Sequence, residues 1–120
     1  MKVAKVWEYE NCSTCKKALK FLANHNIAIE KIDITKNPPS KAELKQMLPH
    51  VGGNFKKLFN TSGRVYQSQN MKEKVATMTE DQALTVLAGN GMLVKRPFVL
   101  WNDKGLVGFD PKKWGKVFER

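Results

Sequence analysis

The chain has 120 residues and two cysteines, Cys12 and Cys15, within Asn11-Cys12-Ser13-Thr14-Cys15-Lys16-Lys17. Thiols three residues apart suit one chemistry well. The outer thiolate attacks an external disulfide or oxyanion. The inner thiol, one helical turn further on, attacks the mixed intermediate and closes an internal disulfide. Cys12 is expected to be the nucleophile and Cys15 the resolving residue. Asn11, Ser13 and Thr14 flank the nucleophile and are the candidate substrate-contacting residues.

The flanking sequence says how such a pair is positioned. Lys2-Val3-Ala4-Lys5-Val6-Trp7 reads as a strand, being rich in β-branched and apolar residues. Cys15, Ala18, Leu19 and Leu22 then recur at helical spacing. The pair therefore lies where a strand turns into a helix. Helix N-termini carry unpaired N–H groups and partial positive charge, which favour the thiolate. Lys16 and Lys17 should act in the same direction and Glu8 and Glu10 against it; the expectation is a lowered pKa at Cys12.

Other uses of two cysteines fit less well. A CxxC pair can be half of a zinc site, but no second pair follows, and His25 and His50 have no ligand-like spacing. A structural disulfide would close only a tiny loop, and the N-terminus does not resemble a secretion signal. Two buried, unreactive thiols remain the plain alternative.

A second charged group is expected at the site. Lys95-Arg96-Pro97 immediately precedes a strand-like run, and Pro97 forces Arg96 towards extended geometry. Brought beside Cys12, Arg96 would offer a fixed charge and a planar fork for an oxyanion or carboxylate. The alternative is an ordinary surface arginine before a strand-opening proline.

The formal net charge is +10, and 42% of residues are hydrophobic, six Phe and three Trp among them. That suits one folded domain with a real core. No apolar run reaches the roughly 20 residues of a membrane helix, so the expectation is a cytoplasmic protein in a reducing compartment, without membrane association. The lysines are scattered and no nucleic-acid motif accompanies them, so direct nucleic-acid binding is not expected.

Along the chain, 24–26 breaks the first helix, and 27–34 reads as a second strand. Strand, helix and strand suggest a parallel βαβ unit. Ser40 with Glu43, and Thr79 with Gln82, form capping boxes that open two helices. The first carries Leu44, Met47 and Leu48 and stops at Pro49; the second carries Ala83, Leu84, Val86 and Leu87, with Gly89-Asn90-Gly91 as its C-cap. Val51-Gly52-Gly53 reads as a joint, 54–59 as a short helix, 61–63 as a loop and 69–75 as another short helix. Phe98–Trp101 and Leu106–Phe109 flank the turn Asn102-Asp103-Lys104-Gly105 as a hairpin. Asp110 and Pro111 open a last helix with Trp114, Val117 and Phe118 inward. The order β-α-β, helices, β-β-α predicts an α/β fold. A mixed four-stranded sheet carries helices, with a helical insertion at about 40–95.

Several stretches together resemble the ArsC/Spx family, the arsenate reductase-like branch of thioredoxin-fold proteins. They are Cys12-Ser13-Thr14-Cys15-Lys16-Lys17-Ala18, Pro38-Pro39-Ser40, Leu58-Phe59-Asn60-Thr61-Ser62-Gly63, Gly91-Met92-Leu93-Val94-Lys95-Arg96-Pro97 and Val107-Gly108-Phe109. They span the chain in the family's order. The resemblance implies a single thioredoxin-like domain over 1–120, with a cis peptide bond before Pro97 and Pro97 facing the cysteines. Glutaredoxin-coupled arsenate reductases of the family use one cysteine and three arginines. Here Cys12 and Arg96 match, while the other two arginine positions fall at about Asn60 and Phe109. Each missing charge-assisted contact forfeits about 1.5–3 kcal/mol. The Spx-type branch keeps the CxxC as a disulfide switch and binds RNA polymerase through a surface that includes a glycine of the insertion; Gly52 and Gly53 lie in that region.

Three functions follow as expectations. The first is a thiol–disulfide redox protein cycling Cys12 and Cys15 against a thiol or disulfide substrate. The second is an Spx-like redox-sensing regulator that binds RNA polymerase. The third is a glutaredoxin-dependent arsenate reductase. No bound cofactor is expected; glutathione, glutaredoxin or thioredoxin would serve as reductant.

Overall fold

Apolar residues on both faces make β1 (Ala4–Glu8) a central strand: Ala4 and Val6 are buried on one side, Trp7 on the other. The computed structural model describes residues 3–118. It resolves into two units. The chain up to Asp33 and again from Arg96 forms one; Ile34–Lys95 forms the other.

The first unit is built on a four-stranded mixed sheet in the order β2-β1-β3-β4. β2 (Ile29–Asp33) runs parallel to β1, with Ala4 opposite Ile29 and Glu8 opposite Asp33. β3 (Phe98–Trp101) is antiparallel to β1, with Trp7 opposite Phe98, and β4 (Lys104–Val107) is antiparallel to β3. α1 (Ser13–Asn24) and α6 (Pro111–Val117) both pack on one sheet face. Ala18, Leu22, Trp114 and Phe118 meet Ala4, Val6, Val99 and Leu106 there. Asp110 caps α6, accepting the Lys112 and Lys113 N–H groups at 3.0 and 3.5 Å. On the opposite face the Trp7 ring meets Phe98 edge-on at 5.3 Å, and both are buried.

The second unit is helical. α2 (Lys41–Met47) and α5 (Glu80–Gly89) each begin with the expected capping box. Ser40 and Glu43 exchange bonds of 3.1 and 2.9 Å, and Thr79 and Gln82 bonds of 3.2 and 3.0 Å. Leu44, Met47, Ala83, Leu84 and Leu87 are buried. Between them lie 3-10 turns at Leu48–Val51 and Phe55–Leu58, then α3 (Arg64–Ser68) and α4 (Met71–Ala76).

Some local expectations are corrected. The short helix expected at 69–75 is α4, shifted to Met71–Ala76 and entered from Asn70 at φ +57, a conformation asparagine tolerates; α3 before it was not expected. Pro49 does not end the chain's coiling, because α2 stops at Met47 and a 3-10 turn runs through Pro49. The C-cap of α5 is an extended Asn90, φ −152, not a left-handed glycine; Gly89 is the last helical residue. Gly91 has another purpose: a Cβ there would run into the Ile34 carbonyl oxygen. The hairpin turn is Asn102-Asp103 alone, with Asn102 at φ +59, because Lys104 and Gly105 pair with Trp101 and Leu100. β4 correspondingly ends at Val107, before Gly108 at φ +70. The first strand extends to Glu8, and Lys2 lies outside the described residues.

Candidate redox site

Cys12 is the N-cap of α1. Its backbone is extended (φ −96, ψ 114) and its Sγ accepts the Cys15 N–H at 3.3 Å. A sulfur thus takes the place usually held by a Ser, Thr, Asp or Asn oxygen and satisfies one of the donors left over at a helix start. The backbone around it is pinned: the Cys12 N–H donates to the Tyr9 carbonyl at 3.0 Å, and the Cys12 carbonyl accepts the Lys16 N–H at 3.1 Å. Cys12 is half-buried and Cys15 fully buried, and both thiols are free.

The two thiols are driven in opposite directions. Burial works against ionising Cys12, yet its pKa lies below the ordinary thiol value. The Cys15 thiol and N–H and the Arg96 guanidinium donate to its sulfur, and the Arg96 charge adds to them. Burial pushes Cys15 up to about 12; the Tyr9 backbone bond opposes this, and the neighbouring Cys12 sulfur reinforces it. Arg96, rather than Lys16 or Lys17, is the cation that acts on Cys12.

Arg96 joins Pro97 through a cis peptide bond, and Pro97 is buried. The Pro97 carbonyl accepts the Gly108 N–H at 2.9 Å, which ties the start of β3 to the end of β4. The Arg96 guanidinium carbon lies 4.9 Å from the Tyr9 ring centre, a cation–π contact. Its Nε and Nη1 are buried without a hydrogen-bond partner. A half-buried guanidinium with two unused donors beside an acidified thiol can hold a thiolate or another anionic group.

Of the other residues singled out in the sequence, Asn11 is exposed and its Nδ2 donates to the Tyr9 hydroxyl at 3.4 Å. Ser13 is exposed and Thr14 half-buried, both in the first turn of α1. Cys12, Cys15, Arg96, Pro97, Asn11, Ser13 and Thr14 all belong to the sheet unit. Gly52 and Gly53 belong to the helical unit, exposed, at φ +67 and +72. Phe109 packs into an aromatic cluster, 5.7 Å from Phe21 and 4.9 Å from Trp114.

Tyr9 was not foreseen. Its carbonyl fixes Cys12 and its ring faces Arg96. A single aromatic in a strand-to-helix turn has no periodic signature; its place just before the CxxC is the one signal the sequence offers.

A mixed four-stranded sheet with a CxxC opening its first helix and a cis-proline opening its third strand is a thioredoxin-like arrangement. Within that class the chain belongs to the ArsC family, whose model matches residues 7–117. It is 48% identical over 101 residues to the uncharacterized protein YusI of Bacillus subtilis, covering 84% of this chain and 86% of that one. An ArsC family related protein of Bacteroides fragilis superposes with a TM-score of 0.88 at 43% identity, covering 95% and 96% of the two chains. A possible arsenate reductase of Streptococcus mutans gives 0.82 at 35% identity, covering 91% and 92%. The global transcriptional regulator Spx of Streptococcus agalactiae is a relative at 26% identity over 100 residues, covering 83% of this chain and 72% of that one. Among the described residues no helix is long and apolar enough to cross a membrane.

Proposed function

We propose that the protein is a thiol–disulfide redox protein that cycles Cys12 and Cys15 between dithiol and disulfide. The observation that carries this is the division of acidity within one CxxC: Cys12 accessible and acidified, Cys15 buried and protonated. The Cys12 thiolate attacks one sulfur of a substrate disulfide and expels the other as a thiolate, which takes a proton from water. Cys15 then loses its proton and attacks Cys12 Sγ. The substrate leaves as a thiol and a Cys12–Cys15 disulfide remains. The substrate has gained two electrons and two protons: both electrons and the Cys15 proton come from the protein, and the second proton comes from water. A thiol reductant of the glutathione, glutaredoxin or thioredoxin kind would restore the dithiol.

The test is turnover of a chromogenic aryl disulfide with glutathione as reductant, in the parent and in Cys12→Ser. Activity in the parent and its loss in Cys12→Ser support the reading; equal rates in both contradict it.

A second reading takes the same pair as a regulatory switch. It is favoured by the relationship to Spx and by the exposed Gly52-Gly53 loop, the region in which the resemblance places a polymerase-contacting glycine. Retention of RNA polymerase from a bacterial lysate, altered by oxidant and lost on Gly52→Arg, would support it. Arsenate reduction is supported less: the resemblance asks for three arginines, and Phe109, at one of those positions, is engaged in the aromatic cluster.

A further inference from the structure

The sheet unit carries a feature that the exchange chemistry does not use. α1 and α6 are neighbours on one face of the sheet. Phe21 of α1 lies 5.8 Å from Trp114 and 6.3 Å from Phe118, ring centre to ring centre. Away from that core, α1 exposes Lys16, Lys17 and Lys20, and α6 exposes Lys112, Lys113 and Lys116. Each trio follows the same offsets and spans an arc of about 100° on its helix, opposite the buried side chains. Neither helix contains an Asp or Glu. Asp110, at the head of α6, has its carboxylate turned to the Lys112 and Lys113 N–H groups.

We propose that this six-lysine face docks an acidic protein segment carrying the thiol or disulfide exchanged at Cys12; the proposal rests on the redox reading above. The face starts at the reactive end of α1, since Lys16 and Lys17 directly follow Cys15. The helix start there carries partial positive charge of the same sign. A field of this kind raises the encounter rate of an acidic partner and presents it beside the nucleophile. A protein segment fits better than nucleic acid. Trp114 and Phe118 are buried and Phe21 packs against them; the one exposed ring, His25 at the far end of α1, is already stacked on Phe21, so no free ring lies among the lysines for a base to stack on. The chemistry beside the face also requires a sulfur on the partner.

The experiment uses three labelled peptides. One presents a cysteine as a mixed disulfide flanked by four glutamates, one presents it flanked by four lysines, and one is the acidic peptide with serine for cysteine. The protein variant replaces Lys112, Lys113 and Lys116 by Gln, three residues remote from the thiols in sequence and outside the site. At about 20 mM salt the acidic disulfide should react with Cys12 at least tenfold faster than the basic one. The gap should close towards about 0.5 M salt. The triple variant should react with the acidic disulfide about three- to tenfold more slowly, with iodoacetamide labelling of Cys12 unchanged. Reaction of the acidic peptide at the parent rate in the triple variant would overturn the proposal. So would retention of a single-stranded oligonucleotide, in place of the acidic peptide, through the same lysines. The two readings separate cleanly. Charge-blind reaction of both disulfides keeps the redox function and removes the docking face. Lysine-dependent binding of the serine peptide without any exchange keeps the docking face and removes the redox function.

Discussion

At the scale of residues, the site is a contest between desolvation and hydrogen bonding, decided differently at two sulfurs one turn apart. Cys12 keeps partial access to solvent and receives Cys15 and Arg96 as donors, so its anion wins; Cys15 is more deeply buried, and the Tyr9 backbone bond and the Arg96 charge do not offset that, so its proton stays. Replacing Arg96 by Ala removes both a donor and a charge. The midpoint of Cys12 alkylation against pH should therefore move upward in Arg96→Ala, as read by mass spectrometry of the labelled protein. Tyr9 holds the guanidinium through a contact worth about 0.5–1 kcal/mol. Tyr9→Leu should move the same midpoint in the same direction, by less, while Tyr9→Phe should leave it near the parent value. Cys15 gives the opposite pH signature. Its folded pKa of about 12 lies above the roughly 8.5 of a free thiol. The stability that its neutral form confers is complete below about pH 8.5 and falls as pH rises towards 12. Denaturant unfolding of the reduced protein at pH 8 and pH 10 should reveal a loss that Cys15→Ala lacks. Cys12 and Cys15 were legible in the sequence by spacing alone. Arg96 was legible only through the proline beside it, and Tyr9 not at all, because its role depends on a partner from the far end of the chain.

Elements were legible where a helix start is written in side chains. The pairs Ser40–Glu43 and Thr79–Gln82 satisfy two backbone donors each, so the sequence has to spell them out. Thr79→Ala should cost about 1 kcal/mol in denaturant unfolding. α3 has no signature in the sequence because it buries nothing and begins at Gly63 without a side-chain cap, so neither period nor cap announces it. β4 starts two residues before its apolar residues suggest, because Lys104 and Gly105 have poor strand propensity that pairing with β3 overrides. Gly91 resembles a helix cap in sequence but is required by the Ile34 carbonyl. Gly91→Ala should therefore destabilise by about 1–3 kcal/mol, well beyond the few tenths expected if it only ended a helix. Equal stability of parent and variant would remove this account of Gly91.

At the scale of the whole molecule, Cys12, Cys15, the Arg96 guanidinium and the lysines of α1 and α6 all belong to the sheet unit. The order of elements foretold the mixed sheet, because βαβ at one end and ββα at the other can share a sheet in few ways. The net charge of +10 was legible too. What composition could not say is that two three-lysine stripes fall on adjacent helices of one face. Cycling as a redox pair depends on the order of attack within the CxxC. It is tested most directly by exposing the reduced protein, Cys15→Ser and Cys12→Ser to a small aryl disulfide at neutral pH and mapping the products by mass spectrometry. The account predicts a Cys12–Cys15 disulfide in the parent, a mixed disulfide held on Cys12 in Cys15→Ser, and no adduct in Cys12→Ser. A mixed disulfide accumulating on Cys15, or a parent protein that stays a dithiol, would contradict it.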